Sequence, residues 1–283
     1  MAGMHFFRHP LAGPGLGVLM ALGFAWRVLA SGAAQPPLGA FTIAWATVFA
    51  CLIAGIATLR GRLRPALACM LQAGALATAS SALGLQGWYF LFKPLAMLLA
   101  MGAAARTLRS PRSTHGGWLL LAALAASLAG DVFLMLNGLF LPGLASFLLA
   151  HLCYIALFKL GQRWFAHRSA LALALLVGAA VYTFLWQGGL PANMRLPVAA
   201  YVLVIALMAA QAWGRWHDAD RAERPAALLV ALGSCSFMLS DALLATNLFV
   251  QPLPWAQVGV LSSYYLAQGL IVAGMLQALA IRR

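Results

Sequence analysis

Apolar stretches of about 20 residues follow one another along the whole chain, and short polar breaks separate them. A stretch of that length crosses a hydrocarbon core of about 30 Å as a helix. The pattern predicts helices over 15–31, 39–59, 66–84, 88–107, 117–136, 142–163, 169–187, 194–214, 225–248 and 257–280. The breaks carry turn chemistry, as in Gln35-Pro36-Pro37, Gly188-Gly189-Leu190-Pro191 and Gln251-Pro252-Leu253-Pro254. Such short loops leave no room for a separate soluble domain. The predicted fold class is therefore all-α, a polytopic integral membrane helical bundle of about ten transmembrane helices. Gly13 and Gly17 have the G-x-x-x-G spacing that lets two helices approach closely.

Composition supports this reading. Charged residues make up 8% of the chain and apolar residues 64%, whereas a soluble domain carries about 25% charge. Too little polar material exists to cover a water-facing surface. The net charge of +13 does not point to nucleic acid. Its basic residues form short clusters between apolar runs, with no basic stripe or aromatic-interleaved groove.

Those clusters orient the chain. One side collects Arg8; Arg60, Arg62 and Arg64; Arg106, Arg109 and Arg112; Lys159, Arg163 and Arg168; Arg215, Arg221 and Arg224; and Arg282 and Arg283. The opposite side holds Arg195, with Arg27 near an outer helix end. Positive residues stay on the cytoplasmic side, so the alternation places both termini there. A missed or extra span would destroy it. Trp88, Trp186 and Trp255 near one face, and Trp118, Trp164 and Trp213 near the other, match interfacial belts. Cys51, Cys69, Cys153 and Cys235 lie in apolar runs without C-x-x-C spacing and read as small buried hydrophobes. The first apolar run reads as a retained span, because no convincing cleavage site follows it.

Against this background a few polar residues stand out. Asp218, Asp220 and Glu223 share a loop with Arg215, Arg221 and Arg224, and read as ordinary solvated charge. The other two acids, Asp131 and Asp241, sit inside apolar helices. An acid at the bilayer centre costs about 2.5–3.5 kcal/mol on an insertion scale, so it normally faces the bundle interior and acts there. Lys93 precedes Pro94, which the sequence places at a helix start. A cation at a helix N-terminus wants a carboxylate partner, and Asp131 and Asp241 are the intramembrane candidates. His151 lies deep in one span, with Tyr154 on the same face. Tyr264, Tyr265 and Gln268 share a face of the last span. Counted from the outer helix ends at about 1.5 Å per residue, Lys93, Asp131, Asp241, Tyr265, His151 and Gln268 fall in one layer, roughly 8–17 Å deep.

Several chemistries are excluded by motif. No G-x-S-x-G elbow, H-E-x-x-H helix or G-x-x-x-x-G-K-[ST] loop occurs. An Asp-Asp-His metal site stays open as an alternative. Two carboxylates in unlike surroundings can divide acid and base roles. That suits protonation of an electron-rich substrate, followed by water attack on an oxocarbenium-like centre. Midplane Asp, Lys and His also suit a transporter or proton-coupled carrier of a lipid or small solute. A nearly apolar inner half of these helices favours the enzyme.

The segments Lys93-Pro94-Leu95, Ser127 to Asp131, Phe147 to Tyr154, Ser240-Asp241 with Leu244-Ala245, and Tyr264-Tyr265 with Ala267-Gln268 resemble the YhhN-like lysoplasmalogenase family in order and spacing. The likeness runs over roughly 66–280. The family is described with eight spans, so the chain looks like a bacterial member with a two-helix extension, 1–65, before an eight-helix domain, 66–283. The resemblance implies hydrolysis of the vinyl-ether bond of lysoplasmalogens, giving a fatty aldehyde and glycerophosphoethanolamine or glycerophosphocholine. It implies a lysophospholipid substrate and a chemistry that needs no cofactor or metal, and the scattered basic clusters leave no nucleic-acid partner expected. The expected location is the bacterial inner membrane, with the site in the outer half of the bilayer. Asp131 and Asp241 are the catalytic candidates. Lys93, His151, Tyr154, Asn137, Asn247, Tyr265 and Gln268 form the expected supporting set.

Overall fold

The computed structural model describes residues 12–30, 38–109 and 114–281. Arg8, Arg112, Arg282, Arg283 and the Gln35-Pro36-Pro37 break lie outside them. Ten α-helices occupy the described residues: α1 (Ala12–Ala30), α2 (Leu38–Leu59), α3 (Pro65–Ala82), α4 (Gln86–Ala105), α5 (Thr114–Met135), α6 (Phe140–Lys159), α7 (Arg168–Gln187), α8 (Ala192–Asp218), α9 (Arg224–Phe249) and α10 (Ala256–Ile281). A short 3-10 turn, Arg106–Arg109, follows α4. Helices are what these runs must form in lipid, where each backbone amide and carbonyl has to be satisfied within the segment. Eight of the ten, α2 and α4 to α10, are long and apolar enough to cross a membrane. Large side chains on their outer faces agree, with Leu176 67% and Leu196 80% exposed. Only a lipid surround makes such faces cheap.

The chain divides into two compact units, 1–103 and 104–283. In the first, α1, α2 and α3 pack together. A Cβ at Gly13 would meet the Cys69 sulfur at 2.7 Å, and one at Gly17 would strike the Gln72 side chain. The G-x-x-x-G pair is therefore where α1 approaches α3. Gln72 ties the three helices together, its amide donating to the Pro14 carbonyl at 2.9 Å and the Cys51 carbonyl at 3.0 Å.

In the second unit α5 packs on α6, α6 on α8, α8 on α9, α9 on α10, and α10 returns to α5. Five helices thus form a ring, and α7 lies outside it against α8 and α9. Close approach of α9 and α10 depends on Gly233 and Gly274. A Cβ at Gly274 would sit 2.5 Å from the Ala226 carbonyl oxygen. Tight turns join α5 to α6 and α7 to α8, with Gly138 at φ +80° and Gly189 at φ +114°. Those conformations suit glycine.

Three expectations need correction here. Pro94 lies inside α4, which begins at Gln86, so Lys93 is not at a helix N-terminus. A bilayer helix tolerates the lost amide where its surroundings satisfy the freed carbonyl. Of the four free cysteines only Cys51 is buried, and Cys235 is exposed, its sulfur 3.1 Å from the Trp213 indole nitrogen. The acidic loop is not wholly solvated. Arg215 in the last turns of α8 is 2% exposed, reaches Glu223 at 3.5 Å, and donates to the Phe158 and Leu160 carbonyls at 3.2 Å. Nearby, Gln211 accepts from the Phe165 amide and donates to the Arg163 carbonyl. The C-terminal half of α8 therefore carries buried polar groups, and they hold the α6–α7 corner.

Candidate active site

All five helices of the ring contribute rare polar groups to its interior. Asp131 on α5 is 2% exposed. Its Oδ2 accepts a hydrogen bond from the Tyr264 hydroxyl on α10 at 2.6 Å. One turn further along α10, Gln268 is fully buried. Its Oε1 accepts from the Tyr154 hydroxyl on α6 at 2.6 Å, and its Nε2 donates to Ser127 Oγ on α5 at 3.1 Å. Nε2 also lies 3.5 Å from the Tyr264 hydroxyl. Asp131, Tyr264, Gln268, Tyr154 and Ser127 thus form one connected network across three helices.

A second network centres on Asp241 of α9. The Tyr201 hydroxyl on α8 donates to Asp241 Oδ2 at 2.5 Å. His151 Nε2 on α6 lies 2.9 Å from the same hydroxyl and 3.6 Å from Asp241 Oδ2. His151 is fully buried, whereas the Asp241 side chain is 20% exposed. The two carboxylates therefore differ in access: one is enclosed, the other half-open.

Aromatic side chains join the networks. Phe237 meets the His151 ring edge-on at 4.7 Å and the Tyr264 ring at 5.5 Å. Phe147 packs edge-on against both Phe237 and Tyr264. A Cβ at Gly130 would sit 2.6 Å from the Phe147 ring, so the glycine before Asp131 makes room for this wall.

The remaining expected residues are placed differently. His151 and Tyr154 share a face of α6 but serve separate networks. The buried Tyr265 ring lies 5.2 Å from that of Tyr264. It is Tyr264 that reaches the carboxylate. Asn137 is exposed in the turn after α5. Asn247 accepts from the Leu253 amide at 2.9 Å and so ties the α9–α10 connection. Lys93 belongs to the first unit, where it is buried and donates to the Tyr89 hydroxyl at 3.2 Å. Among the described residues no three His, Cys, Asp or Glu side chains converge as a metal site requires.

Tyr201 carried no mark in the sequence, and Tyr264 and Ser127, although part of the motif segments, were not in the expected supporting set. A tyrosine in an apolar helix is commonplace, and adjacent Tyr264 and Tyr265 differ by 100° of helix rotation. Depth was the available signal for Tyr201, which enters α8 from the same end and to the same level as the other polar groups.

The fold and these networks define a class: a polytopic all-α membrane protein with two tyrosine-bonded carboxylates enclosed by its helices. The YhhN family model matches residues 88–275, and the chain belongs to the YhhN family. Similar proteins include lysoplasmalogenase TMEM86B of Homo sapiens, 33% identical over 168 residues, which are 59% of this chain and 68% of that protein. TMEM86B of Sus scrofa is 35% identical over 55% of this chain and 62% of its own length. A lysoplasmalogenase of Mycobacterium tuberculosis is 29% identical over 64% of this chain and 67% of its own. The chain thus spans about two thirds of the length of these curated relatives. No solved structure matches it.

Proposed function

We propose that this protein is a membrane-embedded hydrolase that cleaves the vinyl-ether bond of lysoplasmalogens. The observation that carries this reading is the pair of intramembrane carboxylates, each bonded by a tyrosine hydroxyl but differing in exposure, in a member of a family whose named relatives are lysoplasmalogenases. A vinyl ether is electron-rich at the carbon remote from oxygen. A carboxylic acid transfers its proton to that carbon, leaving an oxocarbenium at the carbon attached to oxygen. Water adds there, losing a proton to a base, and forms a hemiacetal. Collapse returns a proton to the departing glycerol oxygen and releases a fatty aldehyde. Two carboxyl groups in unlike surroundings suffice for this sequence. Asp131 and Asp241 divide the roles. His151, Tyr154 and Gln268 orient water and the glycerol head. The alkenyl chain lies among apolar helices.

In this reading all ten helices span the inner membrane of a bacterium, with both termini in the cytoplasm. The turns after α5, α7 and α9 then face outward, and the site occupies the outer half of the bilayer. Residues 1–65 are an appended two-helix extension. The test is aldehyde release from lysoplasmenylethanolamine by purified protein in detergent, with Asp131→Asn and Asp241→Asn beside the wild type. Each variant is expected to lose at least about 100-fold in rate. Full activity in either sinks the two-carboxylate mechanism. Turnover of an acyl lysophospholipid in place of the vinyl ether overturns the substrate.

A further inference from the structure

His151 has a second ring nitrogen that the networks leave unexplained. Nδ1 is buried and has no hydrogen-bond partner among the described residues. Its chemistry follows from its neighbours. The Tyr201 hydroxyl has one proton, and Asp241 Oδ2 accepts it at 2.5 Å. With Asp241 as the ionised carboxylate of the pair, the Tyr201 oxygen can only accept from His151, 2.9 Å away, so the imidazole proton sits on Nε2. A neutral ring in that tautomer bears a bare lone pair on Nδ1. A buried polar atom left without a partner costs about as much as a lost hydrogen bond, about 1–3 kcal/mol. A buried polar group left unsatisfied in a native fold points to strain, to a catalytic role, or to a bound water or ion. Phe237 covers one side of the ring. The Asp241 carboxylate, 20% exposed, lies 3.6 Å from Nε2 of the same imidazole.

We propose that His151 Nδ1 accepts the free glycerol hydroxyl of a lysolipid and is the group that selects lysolipids over fully substituted ones. Tyr201 and Asp241 act as positioning residues, holding the imidazole in the tautomer that can accept. This deepens the lysoplasmalogenase reading and rests on it. A second O–H source, a bound water, has the same chemistry, and the experiment separates the two.

Binding is measured by titrating the purified protein in detergent with 1-O-alkyl-lysophosphatidylethanolamine, which the enzyme cannot hydrolyse, and with its 2-deoxy analogue. The wild type is expected to bind the hydroxyl-bearing lipid about tenfold more tightly, the usual scale for one buried hydrogen bond. His151→Gln reaches toward the Nε2 position, keeps the Tyr201 contact and leaves nothing at Nδ1. It is expected to bind both lipids equally, at the deoxy level. His151→Asn restores an acceptor near Nδ1 and is expected to recover the preference. Tyr201→Phe is expected to weaken the preference without affecting the deoxy lipid. Equal affinity for both lipids in the wild type overturns the inference and assigns Nδ1 to water. A preference that survives His151→Gln also overturns it, since another group then reads the hydroxyl. Aldehyde release with no such preference leaves the enzyme reading standing and removes only this role. Binding of neither lipid counts against both.

Discussion

The hydroxyl of Tyr264 lies 2.6 Å from Asp131 Oδ2, and this bond crosses between two helices, α5 and α10, that approach each other at few positions. Removing the hydroxyl deprives a buried carboxylate of a donor. Tyr264→Phe is expected to lower the rate of aldehyde release by about 10–100-fold and to destabilise the fold by about 1–3 kcal/mol. Activity assays and thermal unfolding in detergent check both. An unchanged rate would show that Tyr264 does not set the state of Asp131.

Gln268 joins three helices through its amide, with Tyr154 and Ser127 as partners. Gln268→Leu takes from the buried Tyr154 hydroxyl the amide oxygen it donates to. Removing both ends together leaves no group deprived of that bond. The double variant Tyr154→Phe/Gln268→Leu is therefore expected to be less destabilised than the two single losses added, by about 1 kcal/mol. Additive losses would mean the two side chains are not coupled.

Gly130 fixes the position of the aromatic wall. Gly130→Ala forces its methyl group against the Phe147 ring, which packs on Phe237 and Tyr264. Overpacking of this kind costs about 1–3 kcal/mol. The expected result is a lowered unfolding temperature together with reduced turnover. A second change, Phe147→Leu, is expected to restore part of both, because it gives the methyl group space.

Arg215 makes the opposite case. It is buried near the basic end of α8, bonded to the α6–α7 corner and to Glu223. About four helical turns separate it from Tyr201. Arg215→Met is expected to remove one donor from Glu223 and from each of two carbonyls and to destabilise by about 1–3 kcal/mol. The kcat and KM of the folded fraction are expected to stay within about twofold. A large loss of kcat in well-folded variant protein would place Arg215 in the chemistry.

Topology is checked by cysteine labelling, with the four native cysteines replaced. Asn137→Cys and Gln251→Cys lie in the turns after α5 and α9 and are expected to react with an impermeant maleimide from outside intact cells. Arg163→Cys in the α6–α7 loop is expected to react only after lysis. The reverse pattern would invert the chain.

The helices were legible because apolar length alone dictates them in lipid. Their ends were displaced by a few residues, most at the C-termini of α6, which stops at Lys159, and α8, which runs on to Asp218. Asp131, Asp241, His151 and Gln268 were legible because a polar group in an apolar run carries a visible cost. Tyr201 was not, and of the facing pair Tyr264 and Tyr265 the expected set took the wrong one, since a phenol carries little cost and reveals its role only when a carboxylate is placed beside it. Pro94 misled because proline marks helix starts in water-soluble chains, whereas α4 runs through it. Asn137 and Asn247 sit near the turns rather than in the networks, and nothing in their local sequence separates those two fates.

The ring of helices closes from α10 back to α5 with little backbone contact, and polar bonds from Tyr264 to Asp131 and from Gln268 to Ser127 span that junction. In the proposed mechanism the same side chains serve as rivets and as reagents. That mechanism makes durability and turnover linked quantities. Screening for a sturdier protein by altering this junction would select against the reaction, and a tight inhibitor lodged beside it would double as a stabilising additive.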